Sequence, residues 1–216
     1  MIRDFAFADV GFLLMAARWT VLLAVAAALI GGLLGLVVAI LRVGPWRPLN
    51  WLAMGWINLI QGTPLLGQLF VLFFGLPLIG LSVDAWAAAL LALSIYTSAF
   101  LGEIWRGSLQ SVPARQWEAG ASLGLTYRQR FLHVVIPQAV RISVAPTVGF
   151  LVQLVKNTSL TALIGFVELT RASQIMTAAT FAPLQVYLTA AGIYFVICYG
   201  LSHLSRVLER RFHVAR

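Results

Sequence analysis

The residues best suited to chemistry are a few polar side chains that interrupt an otherwise apolar sequence. Lys156 is the chain's single lysine, and Asn157, Thr158 and Ser159 follow it directly. An ammonium beside an amide and two hydroxyls can contact the polar groups of a small molecule, so the cluster is a candidate binding site. The alternative is structural: Lys156 reaches the edge of an apolar layer or pairs with Glu168 to hold the fold.

A second candidate is the stretch Gln61-Gly62-Thr63-Pro64, which breaks a long uncharged interval. Gly and Pro disrupt a helix, and within a membrane such breaks survive only beside protein or water. Gln61 and Thr63 are therefore candidates to line a polar path. Gln68 lies about two helical turns beyond Gln61 and can share that face. Glu103 is a weaker candidate, because Arg106 at helical spacing favours an ion pair instead.

Several kinds of chemistry are excluded by residue type. Cys198 is the only cysteine, and no metal-ligand spacing, acid pair or nucleophile with a base stands out. The histidines are far apart: His133, His203 and His213. A phosphate-binding loop of the form GxxxxGK[ST] needs a lysine after a glycine, whereas Lys156 follows Val155. We therefore expect no catalytic residue, metal, cofactor or ATPase site in this chain.

The composition is that of an integral membrane protein. Of 216 residues, 61% are hydrophobic and 10% are charged, and the mean hydropathy is +0.92. The net charge of +8 is explained by loop arginines that orient the chain in a membrane. No basic face with interleaved aromatic residues suggests nucleic-acid binding.

Five membrane-spanning helices are predicted from the intervals between charges. A span needs about 20 apolar residues. The predicted spans within one membrane domain, 1–216, are 19–41, 58–74, 85–105, 142–166 and 185–204. Gly31, Gly32 and Gly35 in the first span favour close helix packing.

The distribution of arginines predicts the orientation. With the N-terminus outside and the C-terminus in the cytoplasm, most arginines fall inside, as the positive-inside rule requires. Inside are Arg42, Arg47, Arg106, Arg115, Arg128, Arg130, Arg141, Arg206, Arg210, Arg211 and Arg216, and outside are Arg3, Arg18 and Arg171. The polar segment 106–141 is therefore expected to be cytoplasmic.

The stretch Glu118 to Pro137 resembles the cytoplasmic signature of permease subunits of bacterial ATP-binding-cassette (ABC) importers. That signature reads Glu-Ala-Ala, three residues, Gly, nine residues, Ile, any residue, Leu-Pro, and the spacing here matches in full. The matching positions are Glu118, Ala119, Gly120, Gly124, Val134, Ile136 and Pro137, of which Gly120, Val134 and Ile136 depart from it in identity. Four further stretches are similar to the polar amino acid branch of the family: 61–66, 103–107, 111–113 and 156–160.

The resemblance implies an all-α, type I ABC importer permease fold with five spans. It also implies a second permease subunit, identical or homologous, and cytoplasmic ATPases that bind ATP and Mg. An external solute-binding protein, a polar amino acid as substrate and a location in the bacterial inner membrane complete the expectation. The signature would form a coupling helix that docks on the ATPase.

Specific roles follow from the resemblance for the signature residues. Glu118 would offer a carboxylate for an ion pair, while Ala119, Gly120 and Ala121 would allow close approach of the partner. Gly124 lets the backbone reverse. The competing interpretation is an ion-coupled secondary transporter or channel without an ATPase, which would leave the signature unexplained.

Overall fold

Every regular element that the structure describes is a helix. The structure is a computed structural model that describes the backbone of residues 4–212 and the side chains of residues 4–207. Arg3, His213 and Arg216, and the side chains of Arg210 and Arg211, lie outside these ranges. The helices are α1 (Phe7–Val43), α2 (Arg47–Gln61), α3 (Leu65–Phe70), α4 (Ala85–Gln110), α5 (Ala114–Ser122), α6 (Tyr127–Arg130), α7 (Ile136–Asn157), α8 (Leu169–Thr180) and α9 (Pro183–Phe212).

Four of the described helices are long and apolar enough to cross a membrane. They are Phe7–Val43, Ala85–Gln110, Tyr127–Ile164 and Pro183–Val207. A fifth span results if the bent pair Arg47–Gln61 and Leu65–Ile79 is counted as one. The predicted all-α class is confirmed, and the predicted number of spans corresponds to this upper count.

The first helix is longer than the interval 19–41 predicted from charge. It begins at Phe7 and passes through Arg18, whose side chain is exposed. The added turns continue as helix because one face of them, including Leu13, packs against Leu169 of α8 and Val186 of α9. A rule that ends a span at the first charge misses this tertiary contact.

The segment 58–74 is not one straight helix. The chain turns through 97° between α2 and the helical segment that starts at Leu65. Pro64 has no N–H to donate to the carbonyl of Ile60, so the helix ladder stops there. Beyond α3, a π-helical turn, Val71–Gly75, and a 3₁₀ turn, Leu76–Ile79, complete the segment.

The fourth span begins earlier than the predicted residue 142. A π-helical turn, Phe131–Val135, joins α6 to α7, so the chain is helical from Tyr127 onward. In that turn the Ile136 N–H donates to the Phe131 carbonyl, five residues earlier, whereas an α-helix would use the carbonyl four residues earlier. This change in hydrogen-bond spacing lets Pro137, which has no N–H, enter the helix without breaking it. Since α4 also continues to Gln110, the connection between the long helices is shorter than the predicted 106–141. Likewise α9 extends beyond the predicted span 185–204 at both ends.

Small residues bring α1 and α4 into close, parallel contact, as predicted. A Cβ added at Gly31 would lie 2.5 Å from Cβ of Thr97, and one at Gly35 would lie 3.1 Å from the Ser98 carbonyl oxygen. At one end of the pair, the rings of Trp19 and Trp86 are 6.0 Å apart. This end of the bundle is the one remote from α5, because α4 runs from Ala85 towards Gln110 and α5 follows.

Candidate coupling and pathway sites

The connection between the long helices is built around α5 and a tight reversal after it. Gly124 has φ +74°, which a glycine adopts without steric cost. Its N–H donates to the Ala121 carbonyl (2.9 Å), and the Leu125 N–H donates to the Gly120 carbonyl (3.1 Å). These two bonds form a Schellman motif, which satisfies the last carbonyls of the helix. The predicted reversal at Gly124 is confirmed.

Side chains from α6 hold α5 in place. The rings of Trp117 and Tyr127 stack with centroids 5.5 Å apart. Arg130 crosses the inner face of α5, where its guanidinium donates to the Trp117 carbonyl (3.3 Å). A Cβ added at Gly120 would lie 2.8 Å from Cγ of Arg130, so only glycine leaves room for this contact.

A small apolar core fixes this assembly to the long helices. Val112, Val135 and Ala139 are buried together, and Leu109 of α4 and Phe131 pack against them. Trp117 of α5 packs against the same core, which therefore joins the end of α4, α5 and the start of α7. Displacement of α5 would be passed to both long helices, since close-packed interiors compress little.

The outer face of α5 is exposed, with one apolar side chain at its end. Glu118, Ala119 and Gly124 are exposed, and Leu123 is 79% exposed. Gly120 differs from the expectation, because it is buried beneath Arg130 and its small size serves a contact within the chain. Pro137 is exposed near the start of α7, away from the tip that Leu123 occupies.

Glu103 pairs with Arg106, as the helical spacing predicted. The Arg106 Nε donates to a carboxylate oxygen of Glu103 at 2.7 Å, and a second guanidinium nitrogen bonds to the other oxygen. Arg106 also bonds to Gln110. Both partners are half-buried at the end of α4 nearest α5.

Gln68 bridges the break between α2 and α3. Its Nε2 donates to the Ile60 carbonyl (2.9 Å), which Pro64 cannot serve, and to Oγ1 of Thr63 (2.9 Å). Its Oε1 is buried and has no hydrogen-bond partner among the described residues. Gln61 is exposed at the end of α2. The break thus carries an unused acceptor, Oε1 of Gln68.

The cluster after Lys156 divides into exposed and inward-facing side chains. Lys156 is exposed, and the neighbouring Asn157 accepts a hydrogen bond from Gln153 (3.0 Å). Thr158 is fully buried and donates to the carbonyl of Val155, at 2.7 Å. The Ser159 hydroxyl likewise donates to the Lys156 carbonyl (2.6 Å). These hydroxyls stabilise the change from α7 to the 3₁₀ segment Thr158–Ile164.

Glu168 is fully buried and does not pair with Lys156, so that part of the structural interpretation is wrong. Its carboxylate caps α8, accepting from the N–H groups of Thr170 and Arg171, each at 2.9 Å. The Tyr194 hydroxyl (2.8 Å) and the Thr20 hydroxyl (3.4 Å) donate to it as well. These bonds join α1, α8 and α9 and leave no carboxylate surface for a substrate.

The structure brings some predicted residues together and separates others. The break at Gly62 to Pro64 and the segment Thr158–Ile164 are adjacent, because α3 contacts that segment. Glu103 is separate from both, because it lies near the C-terminal end of α4, which α5 follows. Sequence reasoning missed the aromatic stack of Tyr96, Phe100 and Phe150, which joins α4 to α7. Tyr96 and Phe100 are four residues apart, so a helical face was the available signal.

The described residues form a helical bundle with up to five candidate membrane spans and a short exposed helix, α5, between two of the long helices. Residues 31–214 match the family described as the binding-protein-dependent transport system inner membrane component. The chain belongs to this family. It is a multi-pass inner-membrane protein, the permease subunit of an ABC importer.

Curated relatives cover nearly the whole chain. The L-cystine transport system permease protein TcyB of Bacillus subtilis is 38% identical over 194 residues, covering 89% of this chain and 83% of its own length. The probable glutamine ABC transporter permease protein GlnM of the same organism is 39% identical, with 88% of each chain covered. The glutamine transport system permease protein GlnP of Escherichia coli is 35% identical, with 86% of each covered.

Solved structures support the same fold. A chain of an amino acid ABC transporter crystallised with histidines has a TM-score of 0.89 and 33% identity, with 93% of this chain and 94% of that chain covered. A chain of the inward-facing MetNI methionine ABC transporter has a TM-score of 0.79 at 18% identity, covering 97% of this chain and all of that chain. The latter shows similarity of fold alone.

Family membership decides between the two functional interpretations. The relatives named above are permeases of ATP-driven importers and not ion-coupled transporters. Such permeases work with a cytoplasmic ATPase and a substrate-binding partner, and ATP hydrolysis is done by the separate ATPase. The chain is accordingly a transport subunit and not an enzyme.

Proposed function

We propose that this chain is one of two permease subunits of an importer for a polar amino acid. Its N-terminus lies outside and α5 lies in the cytoplasm, as the distribution of arginines favours. Relatives named for cystine and glutamine transport support an amino acid as the substrate class. The second permease is either another copy of this chain or a homologue, and an external solute-binding protein delivers the substrate.

The observation that carries this proposal is the attachment of α5. Its inner face is fixed by Arg130 and by the stack of Trp117 on Tyr127, while its outer face stays exposed. An isolated helix of this length would be marginal in water, so the packing gives it its shape. A rigid helix with one free face suits a docking element that transmits movement.

The free face has the chemistry of a docking surface. Leu123 offers an apolar side chain for a groove on the ATPase, and Glu118 offers a carboxylate for a basic group at its rim. Buried apolar anchors surrounded by polar contacts carry much of the binding energy in protein interfaces. The ATPase, not this chain, binds ATP and Mg and supplies the closing movement.

The substrate pathway runs past the break between α2 and α3. Oε1 of Gln68 is a buried acceptor without a partner among the described residues, and an opening of the break would expose it to the ammonium group of an amino acid. Gln61, Lys156 and Asn157 remain candidates to contact the substrate. Thr63 positions Gln68 through its hydroxyl. Thr158 and Glu168 have structural roles in the conformation described here.

The function is tested by purifying the chain with its ATPase and measuring ATP hydrolysis in proteoliposomes against a panel of amino acids. Each amino acid is added together with the external solute-binding protein. We expect one chemical class of amino acid to stimulate hydrolysis and to accumulate inside. Accumulation that needs an ion gradient and proceeds without the ATPase would contradict the proposal.

The pathway assignment is tested separately by uptake with Gln68→Ala and Lys156→Ala, with assembly of the complex checked for each variant. We expect either change to lower uptake while the complex still assembles. Arg171→Ala, at a half-buried position in the first turn of α8, is the control. Unchanged uptake in both variants would remove Gln68 and Lys156 from the site.

A further inference from the structure

A long apolar groove lies between α1 and α9 on the outside of the bundle. Its volume is about 1100 Å³, above the roughly 300–1,000 Å³ typical of pockets for small molecules. The floor and walls are side chains of α1 and α9, among them Val21, Leu22, Val25, Ile193 and Val196. Among the described residues that line the groove, Arg18 is the one that carries a charge.

Arg18 has no acidic or hydrogen-bonding partner among the described residues. Its guanidinium lies over the ring of Trp19, 5.5 Å from the centroid. The side chain is exposed although it belongs to a candidate membrane span. An unpaired charge at such a position is costly unless a headgroup or a partner supplies the counter-charge.

The surrounding aromatic residues place Arg18 at the depth of lipid headgroups. Trp19 packs against Trp86 (6.0 Å) and Phe166 (6.5 Å) at the end of the bundle remote from α5. Tryptophans concentrate at membrane interfaces. From Arg18 to Arg42 the helix rises about 36 Å, close to the thickness of a hydrocarbon core of about 30 Å with its margins. The two arginines therefore mark the two faces of the membrane.

The groove continues from Arg18 towards the middle of the bilayer. Val25 lies seven residues further along α1, about 10 Å deeper, and Ile197 lines the groove on α9. A cation at the interface and an apolar channel leading inward from it match the two parts of a phospholipid. Thr189 on α9 is the one described lining residue with a hydroxyl, which donates to the Gln185 carbonyl.

We propose that this groove binds an anionic phospholipid of the leaflet remote from α5. The guanidinium of Arg18 holds the phosphate through charge-assisted hydrogen bonds, for which arginine is well shaped. An acyl chain lies along Val21, Val25 and Ile193. None of the described lining residues is a carboxylate that could receive the ammonium group of a zwitterionic lipid, so a headgroup such as phosphatidylglycerol is preferred. A second copy of this chain is disfavoured, because it would bury Arg18 and would have to bring a carboxylate to it.

Lipid retention tests the proposal. The permease is purified with its ATPase from membranes that contain phosphatidylglycerol and phosphatidylethanolamine, and bound lipids are counted by mass spectrometry. We expect Arg18→Gln to lower retained phosphatidylglycerol roughly tenfold, as loss of a charge-assisted bond implies. Gly192→Phe should empty the groove, since a Cβ at Gly192 meets nothing within 4 Å and the ring would project into the groove.

The control is Gly200→Phe, on the same helix but outside the groove, where a Cβ also meets nothing within 4 Å. It should retain lipid as the unaltered protein does. A photo-crosslinking residue at Val25 then identifies the occupant directly. A phospholipid adduct supports the proposal, whereas an adduct with a second permease chain overturns it. Equal retention of phosphatidylglycerol in all variants would also overturn it.

Discussion

At the scale of single residues, Glu168 shows how a charge in an apolar sequence serves structure. Four donors surround its carboxylate, two from the start of α8 and one each from Thr20 and Tyr194. The segment that holds Glu168 lies between the candidate spans Tyr127–Ile164 and Pro183–Val207. Burial raises the pKa of Glu168 above its ordinary value, outweighing the hydrogen bonds that lower it.

This pKa predicts how stability depends on pH. A carboxyl whose pKa is higher in the folded than in the unfolded protein contributes stability that is fully present below the unfolded pKa, about 4.3. That contribution is lost as the pH rises through the folded pKa. The unfolding temperature of the unaltered protein should therefore fall, relative to Glu168→Gln, as the pH rises from about 4.3. Parallel curves for the two proteins would contradict this account of Glu168.

Gly124 is the residue on which the reversal after α5 depends. We expect Gly124→Leu to strain the backbone at φ +74°, at a cost of about 1–2 kcal/mol. The helix should fray and hydrogen exchange across residues 114–130 should speed up. Gly107→Leu, at a helical position where a Cβ meets nothing within 4 Å, is the control. Equal protection in the two variants would show that the reversal does not need a glycine.

Contacts between residues close in the sequence were predictable, whereas the burial and partners of side chains that contact distant parts of the chain were not. The spacing of Glu103 and Arg106 was enough to predict their ion pair, because the contact is local. The burial of Gly120 under Arg130 and the partners of Glu168 depend on residues far apart along the chain. Thr20 is separated from Glu168 by 148 positions, and no pattern within one helix indicates such a contact.

At the scale of elements, the contact between α1 and α4 depends on residues without side chains. A methyl group at Gly31 would lie 2.5 Å from Cβ of Thr97 and 2.6 Å from the Ser94 carbonyl oxygen. We expect Gly31→Ala to destabilise the permease by roughly 1–3 kcal/mol, because the two helices must separate. The measurement is thermal unfolding of the purified complex.

The control for that experiment is Gly55→Ala in α2, where a Cβ meets nothing within 4 Å. This variant should unfold at or slightly above the temperature of the unaltered protein, since alanine favours a helix. If Gly31→Ala behaves in the same way, close approach of α1 and α4 does not limit stability.

The existence of the long helices was predictable, whereas several of their boundaries were not. Apolar intervals identified each span because a membrane helix needs a long uncharged stretch. The start of α1 and the passage of α7 through Pro137 were missed, since the first depends on packing against α8 and α9 and the second on a π-helical turn. The break at Pro64 was predicted, but its 97° bend was not.

At the scale of the whole molecule, coupling needs α5 to move with the bundle and to engage a partner. The core of Val112, Val135 and Ala139 meets the first need by joining α5 to α4 and α7. We propose that the exposed face with Glu118 and Leu123 meets the second. Family membership supplies the type of partner, an ATPase, which the fold alone does not specify.

The central claim, that α5 docks on the ATPase, is tested most directly by the affinity of the purified ATPase for the permease in lipid nanodiscs. Leu123→Asp places a charge at the apolar tip, and Leu123→Met keeps the tip apolar as the matched control. We predict that Leu123→Asp weakens binding about tenfold or more, as loss of an interface anchor does, while Leu123→Met binds as the unaltered chain does. Unchanged affinity of Leu123→Asp, with normal ATP-driven uptake, would contradict the claim.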